Sequence, residues 1–302
     1  MERLGLGPSQ MFELNKRLIY ARLTGYGQLG AYSGRAGHDI NSLAISGLLS
    51  IFTDNNTNSR QPIPPMNMLA DFAGGGMTCA LGILMALWER QRSGSGQVVD
   101  CSMVEGVRYL SSYVWTTKQS ELIKNFIWPT PGQKTANLLD GGAHFYTTYE
   151  TKDKRWLSVG AIEPQFYANF LDVLQLDDRE YPHLEHDRWP ELKKKLAILF
   201  SQKTLSEWVE MFKNADACVE PILELSEAQP LGDNLTRPSF NEDGTPRPAR
   251  SLSTTPAEPN LKQPSPKENT AEILLEHGYT KEEIVQYSKD RVIDCNICNN
   301  KL

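Results

Sequence analysis

The sequence predicts an α/β protein: a doubly wound large region followed by a smaller α+β region. Three observations carry that reading. Residues 17–23 read as a strand, with β-branched and aromatic residues, and run through the glycine-rich stretch Thr24-Gly25-Tyr26-Gly27-Gln28 to a helix starting near His38. A second β-loop-α unit follows, a strand at 97–101 and a helix at 104–118. Beyond residue 140 the grammar changes to an antiparallel hairpin, 145–150 and 155–162, followed by helices alone.

Taken in order, residues 4–8 are a turn-rich lead-in and 9–16 a short helix before the first strand. The crossover grammar places the loop after that strand at the carboxyl end of a parallel sheet, where ligands bind. Its glycines match neither GxGxxG nor a P-loop, so no nucleotide motif is read there. Residues 52–65 form a polar, Asn- and Pro-rich loop, and 66–90 a long helix interrupted by Gly74-Gly75-Gly76. Each helical glycine costs about 1 kcal/mol relative to alanine, so three together require close backbone packing or the approach of a ligand. The most apolar stretch, 77–88, is too short to span a bilayer and ends in Glu89-Arg90-Gln91-Arg92, which predicts a buried helix.

Ser93-Gly94-Ser95-Gly96 is a turn into the second strand. Helices are predicted at 165–174, 191–202 and 206–214, then a Pro-rich linker with little structure of its own. A helix at 271–277 stops at Gly278, and Thr280-Lys281-Glu282-Glu283 has the capping-box spacing of a last one. The expected organisation is 1–139 as the large region, 140–228 as the small α+β region, 229–267 as linker and 268–302 as C-terminal helices returning to the large region.

A net charge of −6 over 302 residues argues against a nucleic-acid binder, whose affinity rests on clustered Lys and Arg. No membrane partner is expected either, and no hydrophobic leader opens the chain. Five cysteines without framework spacing point to a reducing compartment; Cys295 and Cys298 form an isolated CxxC, a weak zinc or redox signal. No His, Cys and Asp grouping has metal spacing, so no metal is expected. The last three residues, Asn300-Lys301-Leu302, match the Ser-Lys-Leu peroxisomal address at two of three positions.

Candidate chemistry gathers in three places. His38 and Asp39 sit side by side at a helix start, where capping is the ordinary role of both. Asp71 is the only charged residue between Arg60 and Glu89, and a lone carboxylate in apolar company must be hydrogen-bonded, paired or shifted in pKa. Glu163, between a strand and Pro164, reads as an exposed acid at a helix N-terminus. His144, His183, His186 and His277 carry weaker signals, and there is no GxSxG elbow.

The segments Ala36-Gly37-His38-Asp39-Ile40-Asn41, Leu69-Ala70-Asp71-Phe72-Ala73-Gly74-Gly75-Gly76 and Val159-Gly160-Ala161-Ile162-Glu163-Pro164-Gln165-Phe166-Tyr167, in that order, resemble the family III CoA-transferase (CaiB/BaiF) superfamily. Within it they are most similar to the branch that racemises 2-methyl-branched acyl-CoA thioesters, over residues 1 to about 290. The resemblance implies a 1,1-proton transfer at the carbon α to the thioester carbonyl, through an enolate, in fatty acid and bile acid metabolism. It casts His38 and Asp71 as opposed bases, with desolvation raising the Asp71 pKa toward operating pH. It also casts Glu163 as the group orienting or charging His38, and the Asp39 amide, with Ile40 beside it, as oxyanion donor.

CoA, as part of the substrate and with no separate cofactor, would lie along Gly37, His38, Asp39, Ile40, Asn41 and Ser42, with Arg3 contacting phosphate or adenine. Relatives form interlocked homodimers, so Glu163 is expected to act in cis or across the interface, and the compartment to be peroxisome, mitochondrion or both. Ser42 stands where relatives often carry tyrosine. The family pattern also starts some tens of residues before Met1, so a nucleotide-binding β/α segment supplying most CoA contacts is expected to be absent. Two alternatives remain: a family III transferase using Asp71 as nucleophile, or a silent binding or dimerisation form.

Overall fold

The computed structural model describes residues 1–53, 61–130, 132–229, 237–249, 252–258 and 265–295. The fold is α/β, and the chain divides into two compact units, 1–222 and 223–302.

In the first unit, helix α1 (Pro8–Leu14) starts on proline, whose missing N–H costs nothing in a first turn. Strand β1 (Ile19–Thr24) begins later than expected because Asn15 holds residues 15–18 in a turn, its Oδ1 accepting from the Arg17 amide at 2.9 Å and its carbonyl from the Leu18 amide. β1 pairs in parallel with β2 (Gln97–Ser102), from Ile19 opposite Gln97 to Thr24 opposite Ser102. The connection between them carries helix α2 (Asp39–Ser46) and a helical stretch from Met68 to Ser93.

That stretch is 26 residues long, with a π-helical first part, Met68–Met77, running into α3 (Thr78–Ser93). It is long and apolar enough to cross a membrane by length and composition alone. The expected burial of 77–88 is not found. Met68, Phe72, Leu81, Leu84, Met85 and Trp88 are all exposed, while small residues such as Cys79 and Ala86 face inward.

The glycines explain this inversion. Helix α4 (Met103–Leu110) lies so close that a Cβ on Gly106 would fall 1.8 Å from the Gly74 carbonyl oxygen, and one on Gly74 would fall 2.8 Å from the Val107 nitrogen. Backbone packing is therefore the role of Gly74, and only small side chains fit the seam. The helix expected at 104–118 is broken into α4 and α5 (Ser112–Gln119) at Ser111. The Ser111 hydroxyl donates to the Val107 carbonyl at 2.8 Å, the local bond that bends helices. A one-turn α6 (Lys124–Ile127) follows.

The antiparallel hairpin is formed by β3 (Tyr146–Glu150) and β4 (Trp156–Gly160). Helices α7 (Pro164–Leu174), α8 (Trp189–Phe200) and α9 (Leu205–Phe212) follow. A third strand, β5 (Val219–Pro221), joins β4; three residues ending in proline carry no alternation by which to read them. Among the described residues, two hydrophobic cores lie in this unit. One is a thin cluster of Leu43, Leu48, Ala70 and Val107 under the crossover. The other is a dense aromatic core in which Phe145, Phe170, Trp189, Phe200 and Trp208 are each under 2% exposed.

In the second unit, α10 (Leu225–Ala228) is followed, among the described residues, by a β-bridge between Phe240 and Pro246 and by helices Thr270–Glu276 and Lys281–Lys289. The capping box is present: the Thr280 hydroxyl accepts from the Glu283 amide at 3.2 Å, and the Glu283 carboxylate accepts from the Thr280 amide at 2.8 Å. Cys298, the tripeptide Asn300-Lys301-Leu302 and parts of the expected linker lie outside the described residues.

Candidate active site

His38 is the N-cap of α2, its backbone extended and its ring exposed. The Asn41 side chain accepts from the His38 amide at 3.1 Å, fixing the entry angle of the chain. The glycine loop before it is pinned at both ends. Val104 donates to the Gly25 carbonyl at 3.1 Å, and Tyr26 lies so tightly on Gly37 that a Cβ there would sit 2.5 Å from the phenol oxygen.

Asp39 connects the two halves of the site. Its carboxylate is 1% exposed, and Oδ2 accepts from both the Ala70 amide, at 2.7 Å, and the Asp71 amide, at 3.0 Å. A carboxylate at the start of a helical stretch satisfies donors that have no intrahelical partner, and charge-assisted bonds are the stronger kind. The backbone carrying Asp71 is thereby tied to the residue next to His38. Sequence reasoning assigned Asp39 its amide and missed this use of its side chain. The amides of Asn41 and Ser42 both donate to the His38 carbonyl, and those of Asp39 and Ile40 have no acceptor among the described residues.

Asp71 is half-buried rather than enclosed, and it is hydrogen-bonded: the Asn67 amide group donates to its Oδ2 at 2.9 Å. Met66 and Asn67 have φ of 50° and 57°, two successive non-glycine residues in the left-handed region. Each such conformation costs about 1–3 kcal/mol and persists where the surroundings over-determine it, a condition concentrated at functional sites. Asn67 was not singled out from sequence, although its i,i+4 spacing to Asp71 was the available signal.

The remaining candidates stand apart. Among the described residues, no hydrogen bond or ion pair joins Glu163, exposed at the N-cap of α7, to His38 or Asp71. Arg3 is on an exposed 3-10 turn, Glu2–Leu4, and is likewise not bonded to residues 37–42. Its neighbour Glu2 pairs with Arg22 at 2.7 Å, and that guanidinium holds the Glu2 carboxyl down to about 2. Ser42 is fully buried, its hydroxyl without a partner among the described residues, so its side chain is not presented to a ligand in this structure. No group of three or more His, Cys, Asp or Glu among the described residues could hold a metal ion.

His144 lies in the aromatic core, not in the site. Its Nε2 is 2.7 Å from the Tyr167 hydroxyl, which itself donates to the Tyr181 carbonyl at 2.8 Å. Nε2 must therefore be the donor, leaving Nδ1 without a partner among the described residues. A proton on Nδ1 would find no acceptor among the described residues, and burial, with His183 nearby, depresses the His144 pKa to about 3.

The model of CoA-transferase family III matches residues 1–270. Alpha-methylacyl-CoA racemase of Mus musculus is 50% identical over 97% of this chain and 76% of its own length; that of Homo sapiens is 49% identical over 98% and 76%. A crystal structure of a CaiB/BaiF family protein from Brucella suis covers 91% of this chain and 72% of its own, at 18% identity and a TM-score of 0.68, a likeness of fold alone.

Proposed function

The chain belongs to CoA-transferase family III, and from that premise we propose that it is an isomerase interconverting the (2R) and (2S) forms of 2-methyl-branched acyl-CoA thioesters. The observation that carries the catalytic assignment is the Asp39 carboxylate bonded to the Ala70 and Asp71 amides, which couples a histidine to a carboxylate on a separate element.

In one direction the C2–H bond breaks toward the unprotonated His38 imidazole. The electron pair delocalises onto the thioester oxygen, held by the open amides of Asp39 and Ile40, and the Asp71 carboxyl returns a proton to the opposite face. The other direction exchanges the two roles. Positioned acid and base groups contribute about 10²–10⁴ in rate, and an oxyanion donor about 3–4 kcal/mol. Asn67 orients the Asp71 carboxyl through its hydrogen bond. Glu163 reaches His38 from a second copy of the chain in a homodimer, which would also cover the apolar face of α3. CoA lies along residues 37–41 with Arg3 toward its phosphates, and the compartment is peroxisome or mitochondrion.

Each pure epimer, incubated with the full chain, is expected to give the same mixture by chiral chromatography. Failure to interconvert, together with a hydroxylamine-trapped acyl group on Asp71, would instead assign a transferase using Asp71 as nucleophile.

A further inference from the structure

A cavity of about 1000 Å³ opens in the first unit between residues 50–53, Ile63, Pro65 and residues of 113–130 and 132–140. Its size lies at the upper end of the range of about 300–1,000 Å³ typical of small-molecule sites. Most of its wall is apolar, including Phe52, Ile63, Tyr113 and Trp128.

The polar groups along it divide sharply. Asp140 is engaged, its carboxylate accepting from the Thr135 amide and from the backbone and side-chain nitrogens of Asn137. Asn137 is engaged as well, its Nδ2 donating also to the Gln133 carbonyl and its Oδ1 accepting from the Thr130 amide. Lys124 is paired with Glu121 at 2.6 Å.

The ammonium groups of Lys118 and Lys134 have no carboxylate partner among the described residues. Lys118 lies over the Trp128 ring at 4.5 Å, and the indole N–H donates to the Thr117 hydroxyl at 3.0 Å, so both cation and ring are held in place. An apolar wall with two cations that have no carboxylate partner among the described residues, and one anion already bonded, suits an amphipathic anion.

We propose that this cavity binds an amphipathic carboxylate: an apolar chain in the body of the cavity, with its carboxylate between Lys118 and Lys134. Two sources have this chemistry, a free long-chain carboxylate and the ω-carboxyl end of a dicarboxylyl thioester. The proposal does not depend on the racemase reading, and its test is read without turnover.

Calorimetric titration of the full chain with decanoate and with decan-1-ol isolates the charge. Decanoate is expected to bind at least about tenfold more tightly, the size of one charge-assisted hydrogen bond. The double variant Lys118→Met, Lys134→Met keeps the apolar stems and should remove that preference while leaving decan-1-ol affinity and the thermal midpoint unchanged. Comparing decanoyl-CoA with decanedioyl-CoA separates the sources. Tighter decanedioyl-CoA binding that is lost in the double variant assigns the thioester's far end, and equal binding assigns the free carboxylate. Equal affinity for acid and alcohol, a preference untouched by the substitutions, or no binding of either would overturn the proposal.

Discussion

The two cores of residues 1–222 are built on opposite terms. The crossover region holds the most apolar stretch of the chain, yet buries only Leu43, Leu48, Ala70 and Val107 in a common cluster and leaves Phe72 and Trp88 68% exposed. The α+β region is rich in charged residues, yet sinks two tryptophans and three phenylalanines completely. The difference teaches that hydrophobic content does not say where a core lies. In the crossover region glycines bring backbones together and crowd large side chains outward; in the α+β region aromatic residues at helical spacing converge on one hairpin. The first region therefore holds its site through a few hydrogen bonds, and the second holds its shape through packing.

Substitution at the centre of the dense core tests that contrast most severely. Trp189→Ala is expected to cost about 3–5 kcal/mol in urea unfolding, as large-to-small changes at fully buried aromatics do. Asp39→Ala should cost less, about 1–3 kcal/mol, because it strands the Ala70 and Asp71 amides without a buried acceptor. It should nevertheless lower kcat at least about tenfold, since small displacements of reacting groups are expensive in rate. If it changes stability with no effect on kcat, the claim that Asp39 positions Asp71 is lost.

Acid sharpens the comparison in the other direction. The His144 pKa is depressed to about 3 in the folded protein from an ordinary 6.5, so between those values the unfolded chain binds more protons. Stability then falls as pH drops below about 6.5, with a slope of at most about 1.4 kcal/mol per pH unit from this group. His144→Phe removes that term, and the loss of stability between pH 7 and pH 5 should shrink in urea titrations at the two pH values. The smallest effect is expected on the exposed face of the crossover helix, where Phe72→Ser should move stability by no more than about 0.5 kcal/mol at concentrations that keep the chain monomeric. A change of several kcal/mol there would mean that the face is covered.

Much of this was legible in the residues. The strand, the glycine loop and the helix that starts after His38 are local signals, as is the Thr280–Glu283 capping box, and both occur within a residue or two of where the sequence places them. The break at Ser111 depends on one hydroxyl choosing the Val107 carbonyl, and β5 depends on a neighbouring strand; neither leaves a mark in periodicity. At the site, His38 and Asp71 were found as residue types, but the contact that unites them was not. The Asp39 side chain reaches across 31 and 32 positions to the Ala70 and Asp71 amides, and a long-range bond to backbone has no sequence pattern. Burial of the long helix was misjudged for a similar reason, since Gly74 acquires its role only when Gly106 lies against it.

The central claim is that His38 and Asp71 serve opposite faces of one carbon, and deuterium wash-in at C2 tests it most directly. In heavy water the wild-type chain is expected to deuterate both epimers of a 2-methylacyl-CoA. His38→Ala should abolish exchange from one epimer and Asp71→Asn from the other. Equal residual exchange from both epimers in either variant would contradict the account.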